Sequence, residues 1–166
     1  MLTAHYIGDH ANDTPAVRAG WALTRLVQKG EFSNVTHSEA ILDEFANGEV
    51  LIASSSLRDG GVRSKRVSLA PASWRIVDVP SWSVLQAWEF LMLTRGAPYD
   101  SRGALATVLP GHHVSAAWFC NEWVGAAVGL KTPQCFSPST FMAICMTFGI
   151  EVTTSFFADR REVAQQ

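Results

Sequence analysis

The stretch Trp118-Phe119-Cys120-Asn121-Glu122-Trp123-Val124-Gly125-Ala126-Ala127-Val128 places a cysteine where an apolar helix begins. The pattern predicts a helix from Cys120 to Val128, and Gly129 suits its C-terminal end. A helix N-terminus carries partial positive charge and unpaired N–H groups, which favour a thiolate and stabilise an oxyanion. Cys120 is therefore the candidate nucleophile, with a buried structural cysteine as the alternative.

A histidine lies far upstream, within the strand-like segment Asn34-Val35-Thr36-His37-Ser38-Glu39-Ala40-Ile41-Leu42. An imidazole can take the proton of a thiol, so Cys120 and His37 together form the minimum set for thiol-based acyl transfer. The alternative for His37 is an exposed polar residue on a half-buried sheet.

A third polar residue is needed to orient the imidazole. Glu39 shares a strand face with His37, and a carboxylate there can fix the tautomer and stabilise the imidazolium. Two residues apart on one strand is, however, a poor spacing for a hydrogen bond. Ser54, Ser55 and Ser56 on the next strand are therefore rival orienters, unless that serine run is only edge or loop polarity.

Three other residues, Tyr99, Glu122 and Cys145, have predicted places in the fold. Tyr99 follows Gly96-Ala97-Pro98, and we expect its hydroxyl at the cleft wall, donating to a substrate carbonyl or an oxyanion; a partly buried loop aromatic is the alternative. Glu122 is expected to cap the first turn of the Cys120 helix. Cys145 lies inside an apolar helical segment and is expected in the core.

The remaining pattern predicts an α+β fold in a single domain. We expect helices over 14–29, 81–95, 101–109 and 137–148, and strands over 34–42, 49–56, 62–69 and 74–79. Turn signals at Asn47-Gly48 and Asp59-Gly60-Gly61 link these strands into a four-stranded antiparallel meander.

Composition bounds the class of protein. The 166 residues are 48% hydrophobic and 17% charged, which is typical of one globular domain with a substantial core. A net charge of −2 gives no overall attraction to nucleic acid. The basic cluster Arg58, Arg63, Lys65 and Arg66 is expected to be a solvated hairpin. No run approaches the roughly 18 apolar residues of a membrane span, so we expect no membrane insertion.

Targeting and cofactor signals are missing from the sequence. Residues 1–9 lack the basic and long apolar regions of a signal peptide, so we expect synthesis in the cytoplasm. Three cysteines form no disulfide framework, and only the adjacent pair His112-His113 suggests a metal, weakly. The chain has no G-x-S-x-G, Walker or G-x-G-x-x-G motif, so no cofactor is expected.

Four short segments together resemble the circularly permuted NlpC-type papain-like cysteine hydrolases, whose bacterial members are often called YiiX- or YebB-like. The resemblance covers about residues 30 to 145, and the histidine strand precedes the cysteine helix as in that branch. It implies a permuted papain-like fold, with an antiparallel sheet of about four to six strands packed on the nucleophile-bearing helix. The segments are Thr36-His37-Ser38-Glu39, Ser54-Ser55-Ser56 with Asp59-Gly60-Gly61-Val62-Arg63, Pro98-Tyr99-Asp100, and Phe119-Cys120-Asn121-Glu122-Trp123-Val124.

The resemblance also implies residue roles. Cys120 matches the nucleophile and His37 the general base. Many relatives carry a carboxylate or histidine on the strand after the histidine, where this chain has Ala53, so the orienter is either Glu39 or Ser54. Asn121 stands where the family usually has serine.

The function implied is a cysteine amidase or peptidase acting on peptidoglycan stem peptides. Asp-Gly-Gly-Val-Arg and Cys-x-Glu-Trp are similar to small proteins of tailed bacteriophages, which implies a tail-tip location and phage tail proteins as partners. Two alternatives stay open: a thiol hydrolase of lipid acyl or peptide-tag substrates, and a structural tail or baseplate subunit with a vestigial site. An apolar tunnel beside Cys120 would favour acyl chains and a polar groove peptidoglycan, whereas exposed Trp118 and Trp123 would favour the structural subunit.

Overall fold

An antiparallel sheet of six strands organises the computed structural model, which describes residues 1–8, 13–27, 32, 34–107 and 116–153. The order across the sheet is β4-β3-β2-β1-β5-β6, and every neighbouring pair is antiparallel. The predicted α+β class is confirmed. The strands are β1 (Leu2–Tyr6), β2 (His37–Glu44), β3 (Val50–Ser56), β4 (Gly61–Val67), β5 (Trp74–Asp78) and β6 (Ile150–Val152).

The helices begin at the polar caps that the sequence offers. Side chains of Ser83, Asp100 and Ser137 accept the backbone N–H three residues ahead, which satisfies a donor that has no partner inside its helix. The predicted helix ends at residues 29 and 109 lie outside the described residues. Within those residues, no helix combines the length and apolar character of a membrane span. The helices are α1 (Pro15–Val27), α2 (Val84–Thr94), α3 (Ser101–Ala106), α4 (Cys120–Ala127) and α5 (Pro138–Phe148).

The predicted meander is wrong at its fourth strand. β2, β3 and β4 pair in sequence order as expected, but β5 does not lie beside β4. Instead β1 inserts between β2 and β5, with Thr3 opposite both Ala40 and Val77. The sequence pattern does not predict β1, because the polar Thr3 and His5 are completely buried where a strand normally has apolar residues on its core face.

The helix that carries Cys120 packs directly on the middle of the sheet. Trp123, Val124 and Ala127 of α4 form the main core with Ala40 of β2 and Ala53 of β3. Because side chains alternate along a strand, the neighbours of these alanines form a smaller cluster on the opposite face of the sheet. That cluster comprises Leu2, Ala4, Ile41, Val50, Ile52 and Ile76. This packing brings the N-terminus of α4 to the ends of β2 and β3.

Candidate active site

Cys120 is the first residue of α4, and its side chain is 2% exposed. As expected, the Glu122 carboxylate accepts a hydrogen bond from the Phe119 N–H at 3.3 Å, which caps the helix. The Cys120 thiol donates to Asn121 Oδ1 at 3.4 Å. The first N–H groups of a helix have no carbonyl partner within it, so those at Cys120 and Asn121 are placed to receive an oxyanion.

His37 opens β2 and is held by Glu39. The distance from His37 Nε2 to Glu39 Oε1 is 2.7 Å, and both side chains are buried. The unfavourable spacing expected from the sequence is overcome because both residues lie on one face and the Glu39 side chain is long enough to reach the ring. The structure thus brings these two predicted residues together.

The other ring nitrogen of His37 is left for the thiol. Nδ1 is buried, and no regular hydrogen bond satisfies it within the described part of the chain. Burial opposes the charged form of His37, but the charge of Glu39, the neighbouring Cys120 and the hydrogen bond to Glu39 raise its pKa to about 9. The ring is therefore protonated at neutral pH and lies beside Cys120.

Arg63 fixes Glu39 from the other side, and sequence reasoning missed it. Its Nη1 and Nη2 donate to the two Glu39 oxygens at 2.7 and 2.6 Å. Burial favours protonated Glu39, but the charges of Arg63 and His37 outweigh it and lower the pKa of Glu39 to about 2. The expectation of a solvated basic cluster is wrong for Arg63, whose side chain is only 16% exposed.

The serine run does not reach His37. Ser54 Oγ donates to the carbonyl oxygen of Cys120 at 3.4 Å and to that of Ser55 at 3.2 Å. Ser55 Oγ donates to the carbonyl of Trp118. The serines therefore tie the start of α4 to β3, and among the predicted orienters Glu39 alone bonds the imidazole.

Tyr99 lies beside Cys120, as predicted. Backbone hydrogen bonds hold the segment that contains Tyr99 on two sides. Tyr99 N–H donates to Gly60 O at 3.1 Å, and Asp100 N–H donates to Trp118 O at 2.9 Å. Burial, followed by the charges of Cys120, Asp100 and Glu122, raises the pKa of Tyr99 well above its usual range. The phenol keeps its proton and remains a hydrogen-bond donor.

A cavity of about 180 Å³ opens at Cys120. Tyr99 lines the same cavity. Within the described ranges, none of the side chains in its wall is Asp, Glu, Lys, Arg or His. The apolar part of the wall comprises Trp21, Leu57, Ala104, Leu105, Phe119 and Pro138. By the criterion set from the sequence, this lining favours an apolar substrate group.

Trp21 contacts His37 and Asn121 contacts Cys120, and the sequence pattern predicts neither contact. The Trp21 ring meets the His37 ring edge-on, with 6.0 Å between centroids, and its Nε1 donates to Asp13 at 3.2 Å. Asn121 is completely buried, and its amide also donates to the carbonyl of Phe136. His37 thus packs against Trp21, and the start of α4 is bonded to Phe136, although both partners are distant in the chain.

Among the residues that the structure describes, neither a metal cluster nor a second cysteine accompanies Cys120 in the cavity wall. No group of three or more His, Cys, Asp or Glu could hold a metal among the residues with described positions, and His112-His113 lies outside them. Cys145 is buried in the core as predicted, and burial raises its pKa to about 12. Cys135 is exposed and free.

The chain has been compared with protein-family models, with curated proteins and with solved structures. None of the three comparisons gives a match.

Proposed function

We propose that the protein is a cysteine hydrolase of the permuted papain-like type, with Cys120 as nucleophile, His37 as acid and base, and Glu39 as orienter. The observation that carries the proposal is the position of His37, which bonds Glu39 at 2.7 Å through Nε2 and faces Cys120 through the other edge of its ring. This is the order of groups that activates a nucleophile in covalent hydrolysis.

Acylation begins with the thiolate of Cys120, which attacks a substrate carbonyl carbon and forms the C–S bond. The N–H groups at the start of α4 and the Tyr99 hydroxyl donate to the oxyanion. As the oxyanion collapses, the bond to the leaving group breaks and the His37 imidazolium gives its proton to that group. The enzyme is left as a thioester with neutral His37.

Deacylation reverses the role of His37. The neutral imidazole takes a proton from water, the hydroxide attacks the thioester carbonyl, and the C–S bond breaks to release a carboxylic acid. Glu39 stays ionised throughout because its pKa is about 2, so it balances the imidazolium each time it forms. Arg63 holds that carboxylate in place with two hydrogen bonds.

The substrate that the family resemblance supports is an amide bond in a peptidoglycan stem peptide. A tail-tip location among phage tail proteins belongs to the same proposal. The six-stranded antiparallel sheet packed on the Cys120 helix supports the permuted papain-like assignment. It supports the assignment only through general architecture, because the same architecture hosts several acyl chemistries.

The uncharged cavity favours a second candidate substrate, an acyl amide or ester with an apolar acyl group. A peptide tag ending in an uncharged residue falls in the same class. The residues named for the structural-subunit alternative give a divided result. Trp123 is completely buried and Cys120 lines a cavity, whereas Trp118 is partly exposed and Cys120 is only 2% exposed.

The test compares Cys120→Ala with a matched Cys135→Ala variant on purified peptidoglycan and on acyl amides. Mass spectrometry of the released fragments identifies the bond that is cut. We expect wild type and Cys135→Ala to cleave at equal rates, because Cys135 is exposed and lies outside the site. Cys120→Ala should show no cleavage above background. Cleavage by Cys120→Ala would disprove the proposal.

A further inference from the structure

We infer that the cavity beside Cys120 is the pocket for the acyl group of the substrate, that it selects an uncharged apolar acyl group, and that Gly20 keeps it open. The inference rests on the proposed function, because it assigns the two sides of a bond cut by Cys120. It names a substrate class and a specificity-determining residue that neither the motifs nor the resemblance supplies.

Two cavities flank the reacting pair, and their chemistry differs. Cys120 lines the apolar cavity, whereas His37 and Glu39 line a second cavity of about 210 Å³ whose wall also holds Arg58 and Lys65. The ring of Trp21 lines both and lies edge-on to His37, so it stands between them.

The mechanism assigns one part of the substrate to each cavity. The acyl carbon bonds to Cys120 Sγ, so the acyl group stays on the side of Cys120. The leaving group takes its proton from His37, so it departs on the side of His37. The apolar cavity is therefore the acyl side, and the polar cavity accommodates the leaving group.

The walls of the acyl cavity reject charge. A carboxylate or ammonium group placed there would lose its water and find no ionised partner among the described lining residues. Methylene groups would instead leave water for contact with Leu57, Leu105 and Phe119. The same wall also contains neutral hydrogen-bonding side chains, so it is uncharged but not wholly apolar. These are Thr24, Thr36, Tyr99, Ser101, Thr107, Asn121 and Ser137.

Gly20 lies inside α1, where glycine is a poor helix residue compared with alanine. Local packing does not require glycine, because a Cβ there would meet only Leu57 Cδ2 at 3.7 Å, an ordinary contact. Gly20 does line the cavity, so a longer side chain at this position would grow into it. The unoccupied space, rather than the backbone, accounts for the glycine.

The test uses p-nitrophenyl acetate, butyrate and octanoate, which share one leaving group and differ only in the acyl chain. For wild type we expect kcat/KM for octanoate to exceed that for acetate by about tenfold or more. Gly20→Leu should lower this octanoate-to-acetate ratio by about tenfold. Ala19→Leu is the matched control, because it puts the same leucine side chain at an exposed position of α1 and should keep the ratio.

Two additions keep the result decisive. Ala104→Leu fills the same cavity from α3, so it replaces Gly20→Leu if that variant fails to fold. p-Nitrophenyl hemisuccinate has the chain length of butyrate with an added carboxylate, and we expect at least about tenfold lower kcat/KM for it. Hemisuccinate turned over as fast as butyrate, or an unchanged octanoate-to-acetate ratio in both filling variants, would overturn the inference.

Failure of the proposed function gives a different result. Intact mass spectrometry should show each good ester adding its acyl mass to wild type and not to Cys120→Ala. No acyl adduct from any ester, or equal hydrolysis by Cys120→Ala, would reject Cys120 as nucleophile. Acylation of Cys120 without chain-length selection would reject the acyl pocket alone.

Discussion

Glu39, which shares a strand face with His37, sets the charge state of the imidazole although it is itself buried. A carboxylate that is 1% exposed would ordinarily be protonated, but two hydrogen bonds from Arg63 keep it ionised. The ionised Glu39 then raises the pKa of His37. Arg63 is therefore a positioning residue that acts on the site through Glu39.

Replacing the carboxylate separates the two candidate orienters. Glu39→Gln keeps the shape of the side chain and removes its charge, so we expect the pKa of His37 to fall and kcat to drop about 100-fold. Ser54→Ala should leave the alkaline limb of the pH profile unchanged, because its hydroxyl bonds the Cys120 carbonyl. A pH profile of kcat/KM for each variant distinguishes them. An alkaline limb that moves in Ser54→Ala and not in Glu39→Gln would make Ser54 the orienter.

In the proposed mechanism, the activity of the wild-type protein depends on pH through His37. Its pKa is raised to about 9, so the imidazolium that protonates the leaving group is present below pH 9 and is lost above it. We expect kcat/KM to fall as pH rises through about 9. The measurement uses an amide substrate, whose leaving amine needs that proton. A profile that stays flat from pH 8 to pH 10.5 would contradict this assignment.

Sequence alone points to Cys120 and His37, the proposed reacting residues, but not to the side chains that hold them in place. Cys120 and His37 stand out because a helix start and a strand histidine have recognisable local patterns. Arg63 has no such pattern: within a basic cluster it looks solvated, and only the register that pairs it with Ser54 places it near Glu39. Side-chain partners that depend on strand register are not visible in local sequence.

Gly61, at the start of β4, allows a close backbone approach that positions the segment leading to Tyr99. A Cβ on Gly61 would lie 2.0 Å from the carbonyl oxygen of Ala97, and Gly61 adopts a φ of +154°. The close approach lets Val62 N–H donate to Ala97 O at 2.8 Å, which fixes the segment that leads to Tyr99. The Asp-Gly-Gly-Val-Arg motif therefore serves the site through backbone pairing.

Two neighbouring glycines give a matched pair of variants. Gly60→Ala places a side chain at a φ of +80° with nothing within 4 Å, so we expect a loss of about 1–2 kcal/mol from strain alone. Gly61→Ala adds a clash with the Ala97 carbonyl, so we expect a larger loss of stability. We also expect lower activity, because the clash would displace the segment that leads to Tyr99. Urea unfolding and kcat measure the two effects. Equal losses in both variants would mean that the segment does not depend on this approach.

Element prediction fails where pairing is non-local. β2, β3 and β4 are joined by short turns, so their order follows from the sequence. β1 pairs with β2 and β5 across long stretches of chain, and it buries Thr3 and His5 where apolar residues are expected. β6 is only three residues long, with Ile150 exposed, so it has too little pattern to be recognised.

The buried His5 makes the stability of the whole molecule depend on pH. His5 bonds Thr3 at 3.0 Å and Ser38 at 3.1 Å, and burial, followed by the charges of Arg75 and His37, lowers its pKa to about 3. Below pH 6.5 the unfolded chain protonates His5 and the folded chain does not. The contribution of His5 to the free energy of unfolding should therefore fall from pH 6.5 toward pH 3, by up to about 1.4 kcal/mol per pH unit.

Other titratable groups also make the free energy of unfolding depend on pH. Glu39, with its pKa lowered to about 2, adds to the acid loss only below about pH 4.5, while His37 lowers stability as pH rises from 6.5 through about 9. Between pH 4.5 and 7, Glu122 acts in the opposite direction, because burial raises its pKa to about 7 and the folded chain keeps a proton that the unfolded chain releases. Relative to wild type, we expect His5→Gln to remove the acid loss between pH 6.5 and 4.5 and to leave a stability that rises as pH falls, as measured by urea unfolding. A slope in that range that is identical in wild type and His5→Gln would exclude His5 as its source.

The central claim, that distant segments fold to form a thiolate–imidazolium pair, is tested most directly by iodoacetamide labelling at pH 6. Mass spectrometry would follow all three cysteines. An ordinary thiol, with a pKa of about 8.5, is only about 0.3% thiolate at that pH and reacts slowly. The exposed Cys135 is the reference cysteine for the comparison. We predict that the buried Cys120 reacts fastest, and that His37→Gln abolishes this advantage. Labelling of Cys120 no faster than that of Cys135, and indifferent to His37→Gln, would contradict the account.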